Sequence, residues 1–185
     1  MHRTRIHIYE FVDRLLRSRD EILAVANGEM LSIPTTNTRW TDKYKPGLDA
    51  FAGYQESDEL EHHVEAYLGP LLGFAKQVLK DKQDDWHKFP IYVKATGGLR
   101  TLPTPDRVRL MNVVRKLFRD ETFNPFGFAE ERFRTISGEE EGAYGWVAVN
   151  FIKGTLVRET VGTGTVLNPG KLALGPTHPH CLRYL

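Results

Sequence analysis

The sequence predicts an α/β fold in which helices cover the faces of a sheet, and three observations support this class. Short runs of β-branched and aromatic residues alternate with longer stretches whose apolar residues recur every three or four positions, as in amphipathic helices. Hydrophobic residues make up 41% of the chain and charged residues 26%, a composition that can form a packed core. The length of 185 residues suffices for one domain or one lobe and excludes two complete cores.

The first elements are predicted to be short strands. Residues 6–11 are rich in β-branched and aromatic residues and predict a strand. Residues 22–33 predict a hairpin around Asn27-Gly28, the dipeptide that most strongly favours a two-residue turn. Residues 34–54 are rich in Thr, Asn, Gly and Lys, so we expect a loop with at most one edge strand there.

The first predicted helix begins near Ser57 or Asp58, either of which can cap its first turn. Gly69-Pro70 predicts a kink, because proline removes a backbone donor within the helix. The apolar positions spaced three and four apart are Leu60, Val64, Leu68, Leu71, Ala75 and Leu79.

Strand and helix then alternate again. Residues 90–95 predict a strand, followed by a tight glycine turn at Thr96-Gly97-Gly98. A helix is predicted from Thr104, which can cap it, with proline next and an acidic residue in the first turn. The predicted apolar face of this helix consists of Val108, Met111, Val114, Leu117 and Phe118.

A strand at residues 132–136 and a helix after Ser137-Gly138 complete the pattern. This order resembles one incomplete lobe of the actin and sugar-kinase architecture, a ribonuclease H-like unit, and we expect residues 1–162 to form it. Residues 163–185 contain no Asp or Glu and show no periodicity, so we expect a disordered tail. The residues of the last helix that are predicted to face inward are Tyr144, Val147, Phe151 and Ile152.

Charge and cysteine content exclude several classes of function. Lys and Arg number 25 against 24 Asp and Glu, so the net charge of +1 gives no electrostatic case for a nucleic acid or an acidic membrane surface as partner. The single cysteine, Cys181, cannot form an internal disulfide, and the histidines and this cysteine lack the spacing of a metal site. No apolar run approaches the roughly 18 residues of a membrane span, and residues 1–5 lack the apolar core of a secretory signal.

Two glycine-containing segments could carry chemistry. In the first, Thr96-Gly97-Gly98 follows a strand, and the backbone N–H groups of such a turn can bind a phosphate with help from the threonine hydroxyl. Arg100 could pair with a phosphate or a carboxylate. A structural turn and a structural ion pair are the simpler alternatives.

The second segment has three acidic residues, 139–141, at a predicted helix start. They could simply complement the helix dipole, which is worth about 0.3–1 kcal/mol for each. Gly142 and Gly145 favour a second interpretation, because a glycine within a helix costs about 1 kcal/mol relative to alanine. A bound phosphate that approaches the backbone closely would explain both glycines. Ligands of open α/β sheets lie beyond the carboxyl ends of strands, which predicts that both segments lie at one rim.

Both segments resemble conserved regions of the apyrase family, the nucleoside triphosphate diphosphohydrolases and Golgi guanosine diphosphatases. Residues 94–103, K-A-T-G-G-L-R-T-L-P, resemble the second region, A-T-A-G-M-R-x-L. Residues 136–150, I-S-G-E-E-E-G-A-Y-G-W-V-A-V-N, resemble the third, G-x-x-E-G-x-Y-G-W-x-x-x-N. The similarity covers about residues 3–162. The exopolyphosphatase family shares the S-G-x-E-E helix start but lacks the Y-G-W-x-x-x-N continuation.

The resemblance implies a nucleoside di- or triphosphate phosphohydrolase, with Glu141 as the catalytic base and Thr96 orienting the water and the terminal phosphate. It also implies a nucleotide substrate (ATP, ADP, GDP or UDP), a Mg²⁺ or Ca²⁺ cofactor, and a location in Golgi, endoplasmic reticulum or cell-surface membranes, where relatives are often anchored. The residues implied to contact phosphate are Thr4, Gly97, Gly98 and Gly142, and those implied to support the site are Arg100, Tyr144, Trp146 and Asn150.

Departures from the family pattern favour a second hypothesis. Gly97-Gly98 stands where the family usually has Ala-Gly. The first region, D-A-G-S-S-G-S/T-R-I-H-x-Y, is represented only by residues 4–9, and the fourth, D-L-G-G-x-S, does not follow Gly162. Both family aspartates that organise the cation are therefore missing, and we expect no metal ligands in this chain. The alternative is an inactive truncated fragment or a non-catalytic phosphate-binding module.

Overall fold

Strands and helices alternate along the chain, in agreement with the predicted α/β class. The computed structural model describes residues 2–10, 36–152, 158–161 and 164–167. The strands are β1 (Thr4–His7), β2 (Thr41–Tyr44), β3 (Val93–Ala95), β4 (Phe133–Thr135), β5 (Arg158–Val161) and β6 (Gly164–Leu167). The helices are α1 (Ser57–Val78), α2 (Gly97–Arg100), α3 (Thr104–Arg119) and α4 (Gly138–Ile152), with 3₁₀ segments at Leu48–Gly53, Lys80–Lys88 and Glu130–Arg132.

The described residues belong to two compact units. The first unit holds residues 2–8 and 37–138, which include β1 to β4 and α1 to α3. The second holds residues 139–152 of α4 and the strands β5 and β6. The predicted hairpin at residues 22–33 lies outside the described residues.

The strands pair differently from the single sheet that the sequence predicts. Within the described part of the chain they form three two-stranded sheets. β1 pairs with β2 in antiparallel fashion. β2 lies in residues 34–54, for which the sequence predicts a loop with at most one edge strand. β3 pairs with β4 in parallel, with Val93 opposite Phe133 and Ala95 opposite Thr135. Parallel neighbours require a crossover connection, and here that connection contains α3.

The first unit has its core between α1 and α3, which pack against each other. α1 begins at Ser57 as predicted and continues through Pro70, but the residue at its N-cap is Glu56 and makes no side-chain capping bond. The cap predicted at Ser57 or Asp58 is therefore wrong, and so is the cap predicted at Thr104, where Pro103 precedes the helix. The buried residues of α1 are Leu60, Val64, Leu68, Leu71, Leu72 and Ala75.

The buried face of α3 differs from the predicted one, because one predicted residue is exposed and two residues that were not predicted are buried. Val108 is 49% exposed, whereas Leu110 and Val113 are buried together with the predicted Met111 and Val114. The reason is geometric, because at roughly 100° per residue Val108 lies about 160° around the helix from Leu110. The remaining predicted members of this face, Leu117 and Phe118, are buried.

β4 is held in the core from two sides. Phe133 is 0% exposed and packs against Phe118 and Phe128, with ring centroids 5.0 and 4.9 Å away. Arg115 of α3 donates from Nε and Nη2 to the carbonyl oxygen of Phe133, at 3.1 and 2.8 Å. Side-chain packing and backbone hydrogen bonding therefore both fix the strand that leads into the third sequence motif.

The second unit differs from the sequence analysis in two places. Tyr144 and Val147 of α4, predicted to face inward, are 47% and 46% exposed, so this part of the prediction is wrong. The apolar residues of α4 are distributed around the helix and do not form one apolar face. Periodicity therefore could not identify which of them are buried. β6 lies within residues 163–185 and pairs with β5, with Val161 opposite Gly164, although the sequence showed no strand signal there.

Candidate functional site

The two sequence motifs follow two strands that lie side by side. β3 ends at Ala95 and is followed directly by Thr96, and β4 is followed by Ile136 and Ser137. The Ile136 N–H donates to the Ala95 carbonyl oxygen at 3.0 Å, which extends the parallel pairing beyond β4. Because parallel strands have their carboxyl ends at the same edge, both motifs begin at one edge of this sheet.

The second motif forms a helical turn instead of the predicted tight glycine turn. Gly97 to Arg100 form α2, and Thr96 is the N-cap residue, without a side-chain capping bond. The N–H groups of Arg100 and Thr101 donate to the carbonyl oxygens of Thr96 and Gly97, at 3.1 and 3.2 Å. Neither Gly97 nor Gly98 has a φ in the left-handed region that favours glycine. Backbone conformation therefore does not explain why glycine occupies these two positions.

Arg100 connects the two motifs within the first unit. Its Nη1 donates to the carbonyl oxygen of Ile136 at 3.0 Å. The acceptor lies one residue before Ser137, where the chain turns from β4 toward α4. This contact joins the Arg100 side chain to the backbone that leads into the third motif, and the pairing of Arg100 with a phosphate or a carboxylate stays a prediction.

Gly98 is surrounded closely by two side chains that the sequence analysis did not select. The Nδ1 of His2 lies 2.7 Å from Oδ2 of Asp49. A Cβ atom added to Gly98 would lie 2.7 Å from Oδ1 of Asp49 and 3.0 Å from Cγ of His2. A Cβ added to Gly47 would meet the same carboxylate at 2.5 Å. Gly98 therefore allows the His2–Asp49 pair to lie directly against the backbone of α2, and Gly47 allows it to lie against the backbone just before Leu48.

Thr4, the predicted phosphate contact in β1, lies inside the protein. It is 8% exposed and pairs with Tyr44 of β2. The nearby Tyr67 hydroxyl donates to the carbonyl oxygen of Pro46. Burial raises the pKa of Tyr67, the Asp49 charge raises that pKa further, and a hydrogen bond with Thr4 opposes the increase. Thr4 is thus a buried strand residue that hydrogen-bonds with Tyr67.

The third motif forms the first turns of α4, in the second unit. Glu139, Glu140 and Glu141 occupy the first turn, and Glu141 is half-buried. A Cβ added to Gly142 would meet no described atom within 4 Å, so packing within the described residues does not require glycine there. Since Thr96 and Glu141 belong to different units, their joint role stays a prediction.

Asn150 ends the motif as a buried residue. It is 1% exposed, and its Nδ2 donates to the carbonyl oxygen of Trp146 at 2.8 Å, one helical turn earlier. Trp146 itself is half-buried, whereas Tyr144 is exposed. The Asn150 side chain therefore bonds to the backbone of its own helix, and its supporting role in the site stays a prediction.

Comparison with known proteins identifies the family. Residues 2–176 match the model of the GDA1/CD39 (nucleoside phosphatase) family. The chain belongs to the GDA1/CD39 family. The matched range confirms the resemblance drawn from the two motifs, and it extends beyond residue 162 into the segment predicted to be a tail.

Curated members of the GDA1/CD39 family match most of this chain. Nucleoside diphosphate phosphatase ENTPD5 of Homo sapiens is 34% identical over 163 residues, covering 86% of this chain and 32% of the human protein. Ectonucleoside triphosphate diphosphohydrolase 6 of Mus musculus is 32% identical over 172 residues, covering 93% of this chain and 31% of the mouse protein. The chain therefore spans about a third of the length of these relatives.

In the part of this GDA1/CD39 chain that the structure describes, the side chains do not form a cation site. Among them, no group of three His, Cys, Asp or Glu side chains lies close enough together to hold a metal ion. Asp49, the carboxylate beside Gly98, is paired with His2. None of the described helices has both the length and the apolar character needed to cross a membrane.

Replacing Gly98 with alanine should destabilise this GDA1/CD39 chain by about 1–3 kcal/mol, because the added Cβ would overlap Asp49 and His2. Gly97→Ala is the matched control, since its Cβ would meet no described atom within 4 Å. Free energies of unfolding from denaturant titrations measure both changes. Asp49→Ala should remove most of the cost of Gly98→Ala, and equal costs with and without Asp49 would contradict the proposed overlap.

Proposed function

We propose that this chain contributes to the catalytic centre of a nucleoside di- or triphosphate phosphohydrolase. Water attacks the terminal phosphate, and Glu141 accepts its proton as general base. The observation that carries the proposal is the parallel pairing of β3 with β4, because it starts both family motifs at one strand edge. Ligands of α/β sheets bind beyond such edges. Membership of the GDA1/CD39 (nucleoside phosphatase) family supports the same reaction class.

The remaining residues receive roles that follow from chemistry and family resemblance. Thr96 orients the water and the terminal phosphate, because phosphoryl transfer needs an in-line nucleophile more than it needs covalent help. Arg100 holds the start of the third motif through the Ile136 carbonyl. The proposed phosphate contacts are Thr4, Gly97, Gly98 and Gly142, and the proposed supporting residues are Arg100, Tyr144, Trp146 and Asn150.

The wider setting is proposed from the family resemblance alone. Residues 1–162 form the N-terminal lobe of a ribonuclease H-like architecture, and residues 163–185 lie outside that lobe. The substrate is ATP, ADP, GDP or UDP, and Mg²⁺ or Ca²⁺ takes part without a ligand set assigned in this chain. The compartment is the Golgi, the endoplasmic reticulum or the cell surface.

A second candidate is a chain that binds phosphate without hydrolysing nucleotides. One observation favours it: the described residues contain no group of three His, Cys, Asp or Glu side chains close enough together to hold a cation. Mg²⁺ is usually bound through one or two carboxylates together with substrate phosphates, so a phosphate site without such carboxylates would not organise the ion. This candidate retains the glycine segment as a phosphate contact.

Phosphate release from ADP, ATP and GDP distinguishes the two candidates. The polypeptide of 185 residues should release none above buffer with Mg²⁺ or Ca²⁺, because losing even one preorganised charge-stabilising group costs about 10²–10³ in rate. A chimera, in which residues 36–152 replace the matching segment of the human relative, should hydrolyse nucleoside diphosphate. A folded but inactive chimera would contradict the proposed function, and robust hydrolysis by the 185-residue polypeptide would contradict the second candidate.

A further inference from the structure

Arg115 of α3 holds the carbonyl oxygen of Phe133 with two hydrogen bonds. Its Nε and Nη2 donate to this oxygen at 3.1 and 2.8 Å. The third guanidinium nitrogen, Nη1, donates to Oδ1 of Asn112 at 3.0 Å, one turn earlier on the same helix. All three nitrogens therefore have acceptors, and their rigid planar arrangement fixes where the carbonyl oxygen can lie.

This contact lies at the edge of β4 that faces away from β3. The Ile136 N–H points toward β3, since it donates to the Ala95 carbonyl oxygen. Backbone groups of successive residues point to opposite edges of a strand, so those of Phe133, three positions earlier, point to the other edge. Within the described ranges, β3 is the only strand that pairs with β4. Arg115 therefore binds β4 at an edge where no described strand holds it.

The contact also lies at the start of a very short strand. β4 has only three residues, so few backbone hydrogen bonds fix its position along its own axis. Arg115 binds the first of these residues, and Nη1 of Arg100 binds the Ile136 carbonyl oxygen just after the last. The two guanidinium groups thus hold the strand at both ends. Ser137 follows at once and belongs to the same compact unit as Arg115.

We propose that Arg115 is a positioning residue for the phosphohydrolase reaction, because it fixes the place from which the third motif starts. This inference rests on the proposed function, in which the base Glu141 lies in the first turn of the helix that follows Ser137. A displacement of about 1 Å at a reacting group can lower a rate by about 10²-fold, even when its cause lies far from the chemistry. Arg115 acts on turnover in this way without touching the substrate.

A role in stability alone accounts less well for this geometry. The Phe133 ring already anchors the strand in the core between Phe118 and Phe128. Such apolar contacts are non-directional, whereas the guanidinium fork specifies one position for a backbone oxygen. Arg107 of the same helix bonds instead to the Thr104 hydroxyl, within α3 itself. Arg107 is therefore the matched control for Arg115.

Hydrogen exchange of the 185-residue chain, followed by NMR, tests the hold on β4. Arg115→Met keeps a long side chain and removes its donors, so the Ile136 N–H should exchange at least about tenfold faster than in the wild-type chain. The N–H of Leu68, in the core of α1, should change less, because the opening is local. Arg107→Met should leave exchange at Ile136 within about twofold of the wild-type rate.

Turnover in the chimera that carries residues 36–152 tests the positioning role. Arg115→Met should lower kcat about tenfold and leave KM within about twofold, because the phosphate contacts are unchanged. Arg115→Lys should recover part of kcat, since an ammonium group can replace one of the two bonds to Phe133 but not both. Arg107→Met should match the parent chimera in both constants.

Three results would overturn the proposal: unchanged exchange at Ile136 in Arg115→Met, an unchanged kcat in the folded Arg115→Met chimera, or an equal loss in Arg107→Met. If Arg115→Met does not fold, Arg115→Lys takes its place in both measurements, with changes in the same direction and of smaller size. An inactive parent chimera would contradict the proposed function instead, and exchange in the 185-residue chain would still decide whether Arg115 holds β4.

Discussion

Glu141→Gln in the chimera is expected to lower the turnover number for nucleoside diphosphate by about 10²–10⁴-fold, the contribution typical of a general base. Glutamine has nearly the same shape as glutamate but cannot accept the proton of the attacking water. The substrate should still bind, because the change removes a proton acceptor and leaves the phosphate contacts in place. Steady-state phosphate release measures both the turnover number and KM.

Glu139→Gln is the matched control for this experiment. It removes the same charge from the first turn of α4, and residue 139 is exposed whereas residue 141 is half-buried. The control should retain turnover within a few fold, since the helix-dipole contribution of each acid is only about 0.3–1 kcal/mol. Full activity of Glu141→Gln, or an equal loss in both variants, would refute the assignment of Glu141 as the base.

Phe133→Ala is expected to cost about 3–5 kcal/mol in the free energy of unfolding, the largest stability change proposed for this chain. Phe133 is 0% exposed, and its ring packs between those of Phe118 and Phe128. Truncation would leave a cavity that neighbouring rings cannot fill without leaving their rotamers. Guanidinium titration followed by far-ultraviolet circular dichroism measures the change.

Val108→Ala provides the comparison for that measurement. Val108 is 49% exposed on α3, so removing two methyl groups there should change the free energy of unfolding by no more than about 0.5 kcal/mol. A large cost at Val108, or a small one at Phe133, would contradict the described position of the core between α1, α3 and β4.

Sequence periodicity predicted the helices well where one face of the helix is buried. The spacing of Leu60, Val64 and Leu68 identified α1 because each residue packs toward the same core. It failed at Val108, an apolar residue that fits the spacing of three and four positions but is exposed. It failed again at Tyr144, because α4 has few polar residues to distinguish its faces. Strand pairing was harder, since three- and four-residue strands do not specify their partners.

The candidate site was predictable to the extent that its residues are adjacent in sequence. Thr96, Gly98 and Arg100 were selected because they lie within one short motif. His2 and Asp49 were missed, since no local pattern joins a histidine to an aspartate 47 positions away, and only the folded chain brings them together. Gly98 was selected as part of a turn whose backbone N–H groups could bind a phosphate, whereas the structure places the Asp49 carboxylate directly against it.

The parallel pairing of β3 with β4 also determines where this chain can change in length during evolution. The two strands are joined through α3 and not through a hairpin turn, so the loops on either side of α3 can gain or lose residues without altering which strand residues are paired. An insertion inside either strand would instead shift its side chains by one position and turn Val93 or Phe133 out of the core. Length variation is therefore tolerated between the two motifs but not within the strands that carry them.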